Sequence, residues 1–309
     1  MSGLLQLQSL PKRKMTMEVE RLKKKLLQEE LKRRRRNSPT YRLLVVLVPL
    51  FFLVLAGGIA YYYLTLEDRL HKSFTRAENM VLVGDYQEAV EEYQDIYIGH
   101  GDFVLAPRAM FRTGEVLNLF LKRFHDALLV FHNLEREYPD SPFVSDALIQ
   151  EAEIYKNRLR DYGRAAALYQ KLLDLGMEPA DRFQYELSDC YFRLNNFEQA
   201  RIEFENLIKR WPESHLLTEV EYRIGMSYAL DGKLKDAEDV FRKILKEKSE
   251  DPFAIETKFG LASVLEEQGR LRESLKLLKE LEGTYPAPEA LQHKIKTVEE
   301  RIKKKKRAV

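Results

Sequence analysis

Six histidines and one cysteine are the residues of this 309-residue chain best suited to metal binding or nucleophilic chemistry. His71, His100, His125, His132, His215 and His293 are scattered, and only His125 and His132 lie close together. Seven residues apart, they flank a helix rather than converge on a metal ion. No HExxH, paired-cysteine spacing or phosphate-cradling glycine loop occurs. Cys190 stands beside Ser188 in a helical pattern, where a small thiol packs as an apolar side chain, and a single cysteine forms no intramolecular disulfide. His100-Gly101-Asp102 is explained by a helix end at Gly99 and Gly101. The abundant Asp and Glu on helix faces are read as solvated surface in nearly every case. The expectation is therefore no enzyme, no metal and no cofactor, and a function of binding.

The chain is organised around an uncharged stretch, Leu43 to Leu64. As a helix it would run about 33 Å, enough to cross a bilayer's hydrocarbon core. Pro49 and Gly57-Gly58 are tolerated in lipid, and Tyr61, Tyr62 and Tyr63 suit the interface. Residues 1–42 carry 13 Lys or Arg against 4 Glu, a net of +9, whereas the rest of the chain is net −7. Arg33 to Arg36 and Arg42 precede the span, against Arg69, Lys72 and Arg76 beyond it. The positive-inside bias then places the N-terminus in the cytoplasm and the C-terminal domain outside it. Cleavage after Ala60 is the alternative, disfavoured by the long segment before the apolar run.

The basic segment contains a helical candidate, Met15 to Arg36, with Val19, Leu22, Leu26 and Leu31 at roughly helical spacing. It suits contact with anionic lipid or a partner helix, and otherwise acts as a topology signal. Nucleic-acid binding by KRRRR lacks any aromatic or groove-reading accompaniment and is disfavoured.

Beyond about Arg69 the pattern is helical and repetitive. Six segments, from GDYQEAVEEYQDI to QGRLRESLKLLKEL, align on Ala89, Ala127, Ala165, Ala200, Ala237 and Ser274, spaced 38, 38, 35, 37 and 37 residues. About 12 residues before these lie Ser188, Gly225 and Ala262, each followed by a larger residue three further on: Tyr191, Tyr228 and Leu265. Gly114 and Ala152 fit the same scheme if one extra residue lies in the helix turn. The first unit lacks this order in its first helix. Pro139, Pro212 and Pro286 close three units. In the turns, Asp140/Ser141 and Glu213/Ser214 can accept hydrogen bonds from the amides opening the next helix.

This pattern resembles the tetratricopeptide repeat family over about 220 residues. The resemblance implies an all-α chain: a single N-terminal transmembrane helix, then an α-solenoid of about six antiparallel helix pairs with a concave inner surface and a C-terminal capping helix. The expected divisions are a basic segment at 1–42, the span at 43–64, the solenoid at 65–287 and the cap with its basic tail at 288–309. The turns REYPDSPF and KRWPESHLL also resemble those of bacterial envelope repeat proteins, the outer-membrane assembly lipoprotein and the Tol-Pal-associated coordinator.

In this family the first helix of each pair lines the groove. Offsets of −3, +1 and +4 from its small residue give Phe111, Glu115 and Asn118; Ile149, Glu153 and Lys156; Tyr185, Asp189 and Phe192; and Tyr222 and Met226. Rings and charges in this mixture suit a protein or peptide partner, although Phe111, Tyr185 and Tyr222 serve equally as inter-repeat core. The Lys and Asn carboxylate clamp of chaperone-binding repeats is not matched. The expectation is a non-enzymatic scaffold in the bacterial inner membrane, its repeats in the periplasm, serving envelope assembly, secretion or division. The alternatives are a cytoplasm-facing or organelle-surface receptor, and a membrane-tethered regulator acting through the basic arm.

Overall fold

A computed structural model describes residues 12–37 and 39–307, and among these every regular element is helical. The chain divides into two compact units, residues 1–72 and 73–309.

The first unit contains α1 (Lys12–Asn37) and most of α2 (Pro39–Val83). Pro39 opens α2, where the missing N–H is no loss, and Pro49 lies inside the helix. From Leu43 to Leu64 the apolar side chains are exposed, and α2 is long and apolar enough to cross a membrane. Such a run of uncovered Leu, Val and Phe is expected against lipid rather than water. Its polar end is marked by Arg69, whose guanidinium donates to the Tyr62 carbonyl at 3.1 Å and lies 4.7 Å from the Tyr62 ring centroid. The guanidinium is thereby drawn back along the helix toward Tyr62.

The second unit is a succession of helix pairs. The end of α2 pairs with α3 (Tyr86–Gly99), α4 (Ala106–Leu119) with α5 (Phe124–Glu137), and α6 (Phe143–Glu153) with α7 (Tyr162–Asp174). Then α8 (Ala180–Arg193) pairs with α9 (Phe197–Arg210), α10 (Leu217–Leu230) with α11 (Leu234–Glu247), and α12 (Phe253–Glu267) with α13 (Leu271–Glu280). The last helix, α14 (Pro288–Arg307), lays Leu291, Ile295 and Val298 on the α13 cluster and keeps its charges outward, as the polar cap of a solenoid should.

Small residues decide how closely each pair packs. Ala89, Ala127, Ala165, Ala200, Ala237 and Ser274 are all fully buried. The first pair, whose sequence lacks the small-then-aromatic order, uses buried Ala77 followed by Met80. Opposite them, Tyr93, Phe131, Phe204 and Phe241 are fully buried rings. At Gly114 a Cβ would lie 2.6 Å from Phe131 Cζ, and at Gly225 one would lie 2.8 Å from Phe241 Cδ1. Glycine is what lets these rings rest on the facing backbone.

The turn inside each pair has one residue in the left-handed region: Gly84, Lys122, Arg160, Asn195, Gly232 and Gly269. In four pairs the turn is closed by a bond from an amide to the carbonyl five residues back, as in Asn196 to Tyr191 and Lys233 to Tyr228. In the second and third pairs it spans six, Arg123 to Leu117 and Asp161 to Tyr155, each 2.8 Å. The extra residue expected there is real. In the third pair it widens the helix end into a π-helical turn, Ile154–Leu159. Between pairs, Ser141 Oγ accepts from the Phe143 amide and Ser214 Oγ from the Leu216 amide, at 3.3 and 3.2 Å.

Candidate functional site

The first helices of successive pairs are joined by a ladder of polar contacts. Arg112 on α4 forks onto Glu78 of α2, with both N–O distances 2.9 Å. Asn118 Nδ2 donates to Gln150 Oε1 at 3.0 Å, linking α4 to α6. Lys156, on the π-helical turn, pairs with Glu186 and with Asp189 Oδ2 of α8, the latter at 2.6 Å. Tyr185 donates to Glu219 of α10, and Arg223 of α10 approaches Asp189 Oδ1 at 3.8 Å.

The ladder opens into a polar pocket of about 250 Å³ at the third to fifth pairs, where α6, α8 and α10 face one another. Its floor is acidic and buried: Asp189 is 1% exposed, and Oδ2 also accepts from Arg193 Nε at 2.7 Å. Burial opposes the Asp189 charge, but Lys156, its hydrogen bonds with Arg193 and Lys156, and the Arg223 charge hold the carboxyl below its ordinary value. The Tyr185 hydroxyl is raised by burial and then by its bond to Glu219. At the rim, Glu153 is raised by burial and by the Glu186 charge. Arg182, Arg193 and Arg223 stand above this floor, each over an aromatic ring: Tyr185 at 5.5 Å, Tyr162 at 5.6 Å and Phe192 at 5.7 Å.

Of the residues expected from sequence, Glu153, Lys156, Tyr185 and Asp189 are brought together here, with Phe192 beneath Arg223. The others lie apart from the pocket. Phe111 stacks on Phe143 at 5.7 Å, and Glu115 pairs with Arg112 at 2.7 Å. Asn118 is buried, and Ile149 packs on the third-pair core. Tyr222 and Met226 lie against the Phe241 cluster. Thus Phe111 and Tyr222 are inter-repeat core, while Tyr185 is both core and pocket wall.

Sequence reasoning missed Arg182, Glu186, Arg193 and Arg223. A usable signal existed: Arg112, Gln150, Glu186 and Arg223 all stand two residues before the small residue of their helix. Each contacts a +1 or +4 residue of the preceding first helix. Among the described residues no cluster suited to a metal ion occurs, and Cys190 is fully buried, its thiol pushed up to about 12 chiefly by burial.

A ladder of first helices backed by second helices, closed by a polar cap, defines an α-solenoid of helix pairs. Models of the tetratricopeptide repeat match residues 108–141, 157–215 and 219–247. The chain therefore carries tetratricopeptide repeats over these residues. A tetratricopeptide repeat protein from Parabacteroides merdae superposes with a TM-score of 0.53 at 16% identity, over 74% of this chain and 86% of that one. PilW, a type IV pilus biogenesis factor, gives 0.47 at 16% identity over 72% and 97%. YrrB, a repeat protein with an unusual peptide-binding site, gives 0.48 at 16% over 67% and 99%. Among curated proteins none matches the chain.

Proposed function

We propose that the protein is a membrane-anchored scaffold that holds a protein or peptide partner on the face formed by its first helices, at the third to fifth pairs. The fold supports a protein-binding scaffold. The observation that carries the site is the pocket over Lys156 and Asp189, where a preformed, ring-backed array of charges is presented by three rigid helices. Rigid aromatic and guanidinium groups in fixed positions bind with little loss of conformational freedom.

Anchoring is supported by the exposed apolar stretch of α2, and orientation by the arginines that precede it. The reading places residues 1–42 in the cytoplasm of a bacterium, with α1 near anionic lipid, residues 43–64 in the inner membrane, and the repeats of 65–287 with their cap in the periplasm. Envelope assembly, secretion or division is the setting that the turn sequences favour.

Protease treatment of spheroplasts, with the outer membrane opened and the inner membrane intact, tests the placement. Digestion of the repeats while residues 1–42 stay protected is expected. Protection of the repeats until the inner membrane is lysed would refute it.

A further inference from the structure

The charges of the pocket are layered. The carboxylates lie deep: the side chains of Asp189 and Glu186 are 2% and 12% exposed, and both are held by Lys156. Glu219 accepts from Tyr185. The guanidinium groups lie outward, with Arg182 and Arg193 side chains about half exposed and Arg223 partly so. Arg182 is engaged by Glu186 at 2.6 Å and Arg193 by Asp189 at 2.7 Å, each through a single nitrogen. Arg223 is held by the Tyr185 hydroxyl rather than by a close carboxylate. Its nearest carboxylate oxygens are those of Glu219 and Asp189, at 3.7 and 3.8 Å, beyond hydrogen-bond length. A guanidinium carries five donors in a planar fork, so each of these arginines has N–H groups left for an incoming acceptor.

Resting on the scaffold reading above, we infer that the pocket recognises a carboxylate of the partner, taken by Arg223 and flanked by Arg182 and Arg193. Arg223 is preorganised for this by the Phe192 ring beneath it and by its partial burial, which strengthens a charge-assisted bond relative to one in open water. The buried acids do not repel the ligand strongly, because Lys156 and Arg193 neutralise them from below and beside. The carboxylate of Glu153 at the rim favours a partner segment whose acid is isolated rather than part of an acidic run.

Two sources share this chemistry: an Asp or Glu side chain, and a chain's C-terminal carboxylate. The test uses the full chain in lipid nanodiscs and three pools of fluorescein-labelled dodecapeptides, random except at one central position. One pool has Glu there and an amidated C-terminus, the second Gln and an amidated C-terminus, the third Gln and a free C-terminus. Binding is read by fluorescence anisotropy against the wild type and Arg223→Gln. Because Arg223 makes no close ion pair, Arg223→Gln is expected to fold, which circular dichroism checks.

Tighter binding of the first pool than the second, by about tenfold or more and lost in Arg223→Gln, supports an acidic side chain. The same preference for the third pool supports a C-terminus. Equal binding of all three pools, unchanged in Arg223→Gln but lost in Arg182→Gln, whose half-exposed side chain can be replaced without unfolding the repeats, overturns the carboxylate and leaves the scaffold reading standing. Binding that no substitution in the pocket alters overturns both.

Discussion

Glu151 is the residue whose replacement most directly tests the packing argument. It occupies the place in α6 that Thr113, Leu187, Ile224 and Leu261 hold in neighbouring first helices, and it is 6% exposed. Its Oε1 is buried and accepts no hydrogen bond, while Glu135 and Lys171, paired with each other, face it from α5 and α7. Burial first, and then the Glu135 charge, push its carboxyl from 4.5 to about 7, against the pull of Lys171. A raised carboxyl favours the protonated folded state. The stability it contributes is therefore full below the unfolded value of 4.5 and lost as pH rises through 7. At about 1.4 kcal/mol per tenfold, the loss between pH 4.5 and pH 8 is on the order of 3 kcal/mol. Glu151→Leu should therefore stabilise the repeats by about 3 kcal/mol at pH 8 and by much less at pH 5. Urea midpoints by circular dichroism, taken as the difference between wild type and variant from pH 5 to 8.5, isolate this group from all others that titrate. A difference that does not change with pH would refute the reasoning.

Lys156→Met should destabilise by about 3 to 5 kcal/mol in urea unfolding, because it leaves the buried carboxylates of Glu186 and Asp189 without their shared cation. Gly114→Ala and Gly225→Ala should each cost about 1 to 3 kcal/mol by driving a methyl into Phe131 or Phe241, read as a lower thermal midpoint. Lys122→Gly and Arg160→Gly should act in the opposite sense, each gaining about 1 kcal/mol by relieving a left-handed backbone at a non-glycine residue.

The architecture was legible because each helix pair obeys the same steric demand. A small residue must meet a ring, and that demand recurs along the chain at nearly constant spacing, as Ala127 against Ala165 and Phe131 against Gly114 show. The extra residue in the second and third pairs was legible as a register mismatch, since Gly114 to Ala127 is one longer than Gly225 to Ala237. The site was legible only by halves. Offsets of +1 and +4 found Asp189 and Lys156, but a ladder rung needs a partner from the next helix, and single-helix periodicity says nothing about which side chain crosses the gap. Glu186 and Arg223 became visible only when α6, α8 and α10 were placed side by side. Glu151 was missed for a related reason, since a glutamate in a helical pattern reads as solvated until its neighbours are known to enclose it.

The π-helical turn connects these features. An inserted residue in a helix rotates everything after it by about 100° relative to the preceding face. In the second pair the added residue falls at the turn, where α4 ends at Leu119 and Lys122 takes the left-handed conformation. In the third pair it is absorbed earlier, from Ile154, so Lys156 lies on the widened segment itself. That placement carries an ammonium group into the buried space between α6 and α8, where it meets Glu186 and Asp189, rather than leaving it at the solvent edge. Asp189, so anchored, can hold Arg193 beside it and face Arg223 at 3.8 Å. The irregularity in one repeat thus sets the charge arrangement of the pocket across three. Deleting Asn157, which would return the third pair to the five-residue turn closure of the fourth, should keep the solenoid helical by circular dichroism while abolishing pocket-dependent peptide binding. Retention of that binding would show that the register of the π turn is incidental to the site.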